Sequence, residues 1–129
     1  MPACTGNGST GSNLVPTVIT GTPVTETFSG TVPVGVGNSD IHTFTVTLSG
    51  DVAVTMTAAG PPPTISMGVG VGSMSGSTCS LLSGGSGTFQ AGTSTQLSGI
   101  IAQGAYCVVV FDVGNASVPV SYTVTVTHT

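Results

Sequence analysis

The C-terminal stretch Val118-Pro119-Val120-Ser121-Tyr122-Thr123-Val124-Thr125-Val126-Thr127 decides the fold class. Val118, Val120, Tyr122, Val124 and Val126 alternate with Ser121, Thr123, Thr125 and Thr127. A period of two places one apolar face on a core and one polar face in water, the pattern of an antiparallel sheet. Val and Thr are β-branched and suit a pleated surface better than a helix. Upstream the pattern repeats. His42, Phe44, Val46 and Leu48 oppose Thr43, Thr45 and Thr47. From Val52, the residues Val54, Met56 and Ala58 oppose Thr55 and Thr57, and Ile65, Met67, Val69 and Val71 share a further face.

Turn chemistry separates these runs. Ser49-Gly50-Asp51 reads as a hairpin between the second and third strands, and Pro61-Pro62-Pro63 ends the third, because proline donates no ladder hydrogen bond. Residues 78–82 and 87–91 read as two short strands around a Gly84-Gly85 turn. The segment from Ala105 to Asp112 is apolar on both faces and predicts a central strand covered on both sides. No segment repeats at helical spacing. The expectation is an all-β protein: an antiparallel β-sandwich of jelly-roll or Ig-like type, with about eight short strands and no substantial helix.

Length and composition set further bounds. The chain has 129 residues, enough for about one domain. It contains no Lys or Arg, four acidic residues and two His, so 3% of its residues are charged, against about 25% ordinarily. Without a basic side chain it cannot displace the counterions of a nucleic acid, so no nucleic-acid partner is expected. A Schiff-base lysine and a polybasic lipid anchor are excluded as well. No run of about 18 apolar residues predicts a membrane span. Intrinsic disorder does not fit a chain that is 39% apolar with a formal charge of −4. A Thr, Ser, Gly and Val-rich chain nearly free of charge reads as extracellular or cell-surface. The expected signal peptide is not seen at its start and is taken as removed. Trypsin-like proteases find no cleavage site in it.

The organisation predicted is a flexible N-terminal arm over residues 1–23 and a sandwich domain over residues 24–129. Residues 1–12 are Gly/Ser/Thr/Asn-rich, whereas Leu14, Val15, Val18 and Ile19 form an apolar segment around Pro16. That segment suits either an edge strand of its own domain or a strand exchanged with a neighbouring molecule. Three cysteines allow one bridge and one remaining thiol. Cys79 and Cys107 lie in strand-like segments and are the favoured pair, with Cys4 on the arm free or bonded between molecules. Cys4 with either partner is the alternative.

Sites of chemistry are sparse. His42 lies in register with the core face of its strand, and His128 reads as a frayed tail. No Gly-x-Ser-x-Gly elbow can form in a chain without helices, and the few dispersed acids give no facing carboxylate pair. No catalytic residue, cofactor or zinc motif is expected. Asn38, Asp40, Asp112 and Asn115, placed in turns, are candidate calcium ligands; their alternative task is to make the turns. Asn7-Gly8-Ser9 and Asn115-Ala116-Ser117 match the N-glycosylation acceptor, and the Thr-lined faces could carry O-glycans. Trp is absent and both tyrosines fall on inward faces, which argues against stacking on sugar rings.

Four segments together resemble a known pattern: Ser29-Gly30, Asp40-Ile41-His42-Thr43-Phe44-Thr45-Val46, Gly104-Ala105-Tyr106-Cys107-Val108-Val109-Val110, and Ser121-Tyr122-Thr123-Val124-Thr125-Val126. They are similar to the D-x-x-x-F-x-V, G-x-Y-x-V-x-V and closing Y-T-V-T-V strands of the bacterial pre-peptidase C-terminal domain, over residues 24–127. The resemblance implies a secreted, jelly-roll-like sandwich without catalytic activity, usually appended to a secreted hydrolase, with some relatives binding calcium or polymers. Family members commonly carry acidic residues in the middle strand, where this chain has Ile65-Ser66-Met67-Gly68-Val69-Gly70-Val71.

Two functions follow as expectations. The first is a self-associating structural or adhesive surface protein, a homo-oligomer or fibre subunit joined by N-terminal strand exchange, because sheet edges normally defended by charge are here almost without it. The alternative is an accessory domain of a secreted hydrolase that aids substrate binding or secretion.

Overall fold

The computed structural model describes residues 21–129, and its described residues form eight antiparallel strands and no helix. In chain order these are β1 (Val24–Val32), β2 (Ser39–Val46), β3 (Gly50–Gly60), β4 (Ser66–Ser75), β5 (Thr78–Gln90), β6 (Leu97–Ile101), β7 (Gly104–Phe111) and β8 (Val120–His128). Two four-stranded sheets result, ordered β1-β8-β3-β6 and β2-β7-β4-β5. Every connection except β4–β5 crosses from one sheet to the other, which is the jelly-roll winding of two Greek keys. Among the described residues no helix is long and apolar enough to cross a membrane. Cys4, Asn7 and the apolar residues Leu14, Val15, Val18 and Ile19 lie outside the described residues.

The alternating faces meet as expected. Val120, Tyr122, Val124 and Val126 of β8 and Val52, Val54 and Met56 of β3 pack against Met67, Val69 and Val71 of β4 and Val108 and Val110 of β7. Full burial of each such side chain contributes roughly 1.5–3 kcal/mol. The apolar stripe of period two thus supplies the packed interface between the two sheets.

Several local readings need correction. Ser49-Gly50-Asp51 does not close a hairpin, because β2 pairs with β7 while β3 pairs with β8 and β6. The short loop is an arch between sheets; Gly-rich turns of this length serve either geometry. Residues 78–90 form one strand instead of two. Its halves both pair with β4, Thr78–Leu81 against Ser75–Gly72 and Ser86–Gln90 against Gly70–Ser66, so residues 82–85 have no partner on β4. Gly84, with φ of +69°, makes an irregularity in the strand and leaves its direction unchanged. A further bulge between Met56 and Ala58 moves the core position from Ala58, which is exposed, to Ala59, which is buried. His128 is no frayed tail: it is 3% exposed and pairs with Val24. The last strand begins at Val120, leaving Val118 exposed outside it.

β7 is central and buried on both faces, as its composition implied, although among the described residues no third layer covers it. The cover comes from its own sheet. On the outer face, Gly68, Gly70 and Gly72 of β4 form a floor without side chains. The Phe111 ring lies over Gly68, and Leu81 and Val109 close over Gly70. The Cys79–Cys107 disulfide joins β5 to β7 across the intervening β4. It passes over Gly72, where a β-carbon would stand 3.0 Å from Cys79 Sγ.

Candidate functional site

Two features of the sandwich concentrate its chemistry, one on each open side. On the first side β1 and β2, edge strands of opposite sheets, face each other. Alternation turns Glu26, Phe28 and Gly30 of β1 and Asp40, His42 and Phe44 of β2 into the gap, where Tyr122 and His128 of β8 meet them. The Tyr122 hydroxyl donates to Asp40 Oδ2 at 2.7 Å, and His42 Nε2 lies 3.4 Å from the same oxygen. His42 stacks on Phe28 with centroids 4.9 Å apart, and among the described residues its buried Nε2 has no hydrogen-bond partner. His128 Nε2 bonds the Glu26 carboxylate, and its ring packs against Phe44 at 5.1 Å. Gly30 makes room for the Asp40 carboxylate, which any β-carbon there would strike.

Burial of Tyr122, then its hydrogen bond to Asp40 and that carboxylate's charge, push the phenol well above its usual range. The seam therefore holds two histidine–carboxylate pairs. Among the described residues neither imidazole bonds a Ser or Thr hydroxyl. Each pair lies within one sheet; the two sheets are fastened by the Tyr122–Asp40 bond, the Phe28–His42 stack and the packing of Phe44 on His128. The carboxylates of the two pairs place inward-pointing charge on both edge strands, a known obstacle to edge-to-edge pairing. The expectation of undefended edges is thus corrected on this side.

The other side, between β5 and β6, has the opposite character. Neither strand carries a charge or a proline. Between them opens an apolar slot of about 130 Å³, lined by Val52, Val54, Val71, Leu82, Leu97 and Ile101, with Ser83–Gly85 and Ser98–Ile100 at its mouth. Ile100 is 81% exposed at this edge. The slot exists because residues 82–85 stand off the β4 ladder and because β6 spans only five residues.

The four candidate calcium ligands divide. Asn38, Asp112 and Asn115 come together, while Asp40 turns into the seam toward Tyr122. The Asp112 carboxylate is buried and accepts backbone N–H bonds from Gly35 at 2.9 Å, Gly114 at 2.8 Å, Asn115 at 3.1 Å and Ala116 at 3.2 Å. Asn38 Nδ2 donates to the Val34 carbonyl and Asn115 Nδ2 to that of Ser66. Gly35 and Gly114, with φ of +135° and +106°, supply the left-handed turns this requires. A carboxylate surrounded by four N–H dipoles is arranged for backbone and not for a cation. These residues clamp two loops together, and among the described residues no group of three or more His, Cys, Asp or Glu converges as a metal cage.

The N–H bonds, Gly35 first, hold Asp112 below the usual carboxylate range. A depressed native value contributes stability above the unfolded value, and that contribution is lost as pH falls through the native one. Acid titration of the melting temperature should therefore show Asp112→Asn less stable at neutral pH and converging on the parent in strong acid. Parallel curves would show that the clamp carries no charge-dependent stability.

Of the predicted site residues, the structure joins Cys79 to Cys107 and assembles the loop clamp. Sequence reading missed Glu26, Gly30 and the inward role of His128. The signal was available in β1, where Glu26, Phe28, Gly30 and Val32 share one parity. No family model, no curated protein and no solved structure matches this chain.

Proposed function

We propose that this chain is a non-catalytic structural module that acts outside the cell by associating with copies of itself. The observation that carries this reading is the contrast between the two sides of the sandwich. The few charges that guard sheet edges all lie on the β1/β2 side, whereas the β5/β6 side presents two uncharged edges around an apolar slot. Exposed edges of that kind add strands from other chains. The Cys79–Cys107 disulfide and the absence of tryptic sites both suit an oxidising, protease-rich exterior.

A second reading is an accessory domain of a secreted hydrolase. It draws support from where the resembling segments fall: the D-x-x-x-F-x-V segment on β2, the G-x-Y-x-V-x-V segment on β7 and the closing segment on β8, within a jelly roll. Light scattering over a concentration series separates the two. Self-association predicts a mass rising above the 12.5 kDa of one chain. A mass constant at one chain up to high concentration removes the assembly reading and leaves the accessory module.

A further inference from the structure

We infer that the slot between β5 and β6 is the seat of the apolar segment Leu14, Val15, Val18 and Ile19 of a neighbouring copy. This deepens the self-association reading and rests on it. Slot and segment are complementary in chemistry. The slot is lined by aliphatic side chains, and its volume of about 130 Å³ is close to the about 150 Å³ of a dry apolar cavity that accepts benzene. Residues 1–20 contain no charged side chain, so entry desolvates none. An extended segment from Leu14 would turn Leu14, Pro16 and Val18 to one side, and a strand lying on an open edge tolerates the proline. Residues 82–85, out of register with β4, border the place such a strand would occupy.

Geometry favours a neighbour over the chain's own segment. Gly21 and Pro23 line a hollow with Ser49 and Gly50, at the start of β3, and with Asp51, Ala53, Thr127 and Thr129 on the outer face of the β1-β8-β3-β6 sheet. The slot is lined by the inner-face residues of that sheet. Passing from β3 around β6 spans about two strand spacings, roughly 10 Å, and then the thickness of the sheet. Ile19, two residues from Gly21, reaches only about 7 Å and Val18 about 10 Å when fully extended. By that route Val18 and Ile19 of the same chain fall short of the slot, whereas another copy can turn Leu14, Pro16 and Val18 into it together. A contact between different surfaces of successive copies does not close on itself and extends as a fibre.

The test uses the full chain. Val18→Asp should raise the concentration for half-assembly at least about tenfold, since it removes a buried aliphatic group and adds a charge to an apolar slot. The melting temperature of the dilute monomer should not change. A second variant carries Cys4→Ser, Val18→Cys and Ser83→Cys. On oxidation, mixed tagged and untagged chains should yield mixed disulfide-linked species. Closure of that bridge within one chain overturns the inference, as does a Val18→Asp monomer that melts lower, because the segment would then belong to its own core. Parent and Val18→Asp assembling equally overturns the seat while self-association stands. A parent that never assembles overturns self-association itself, and the seat with it.

Discussion

Replacing Cys79 and Cys107 together by alanine should lower the thermal midpoint by about 15 °C. The bridge links residues separated by 28 positions. Opening a loop of that size returns chain entropy to the unfolded state, which corresponds to about 3.5 kcal/mol on the loop-closure estimate. For a domain of this size each kcal/mol displaces the midpoint by about 4 °C. The native state loses something as well. Cys107 is fully buried on the outer face of β7, and the bridge covers the bare backbone of Gly72. Its loss exposes the middle of a sheet that, among the described residues, has no second layer on that face. Thiol labelling of the denatured, unreduced parent should find one reactive cysteine per chain, at Cys4. A midpoint displaced by less than about 3 °C, or label on Cys107, would remove the bridge as the staple of this sheet.

How much of this could be read from the sequence depends on which physical rule governed each element. Period-two alternation is set by the pleat, so the core faces of β2, β3, β4 and β8 were legible apart from Ala58, displaced by the bulge, and Val118, which lies outside β8. Which strands pair was not. Ser49-Gly50-Asp51 has hairpin chemistry, yet it joins two sheets, because partner choice is fixed by the whole winding and not by the turn. The double burial of β7 was legible from its composition, but its cause was hidden. It requires Gly68, Gly70 and Gly72 to lie beside it as a floor, a relation between strands distant in sequence.

Sites followed the same division. The disulfide was readable because strand-like segments held two of the three cysteines. The loop clamp was half legible: Asn38, Asp112 and Asn115 signalled turns, while only the structure shows one carboxylate organising both loops. The seam was only partly legible: parity places Glu26, Phe28 and Gly30 on one face of β1, but its members come from β1, β2 and β8, and no local pattern marks Glu26 as the partner of His128. The slot has no sequence signature at all. It arises from four residues left out of register and one short strand.

The second large effect concerns the seam, and it appears in alkali. Burial and Asp40 hold the Tyr122 phenol well above its usual range, so the folded protein keeps a proton that the unfolded chain releases near pH 10. A group whose native value is raised contributes its full stability below the unfolded value and loses it as pH rises past that point. Above pH 10 the unfolding free energy should therefore fall, with a slope from this group alone that approaches about 1.4 kcal/mol per unit by pH 12. Tyr122→Phe removes that slope, and the difference between parent and variant isolates it from other titrations. The same variant forfeits a hydrogen bond to a carboxylate, about 1.5 kcal/mol at neutral pH, the low end of the range because Asp40 is one-third exposed and can be rehydrated. Gly30→Ala reaches the same bond from the opposite strand. Its β-carbon strikes the Asp40 carboxylate and stands 3.0 Å from the Tyr122 hydroxyl, so the acceptor is displaced and a buried hydroxyl is left unpaired, at about 1–3 kcal/mol. Because both substitutions break one contact, their combination should destabilise by clearly less than their sum. Additive losses, or an alkaline slope unchanged in Tyr122→Phe, would show that the three groups do not act as the fastener between β1, β2 and β8.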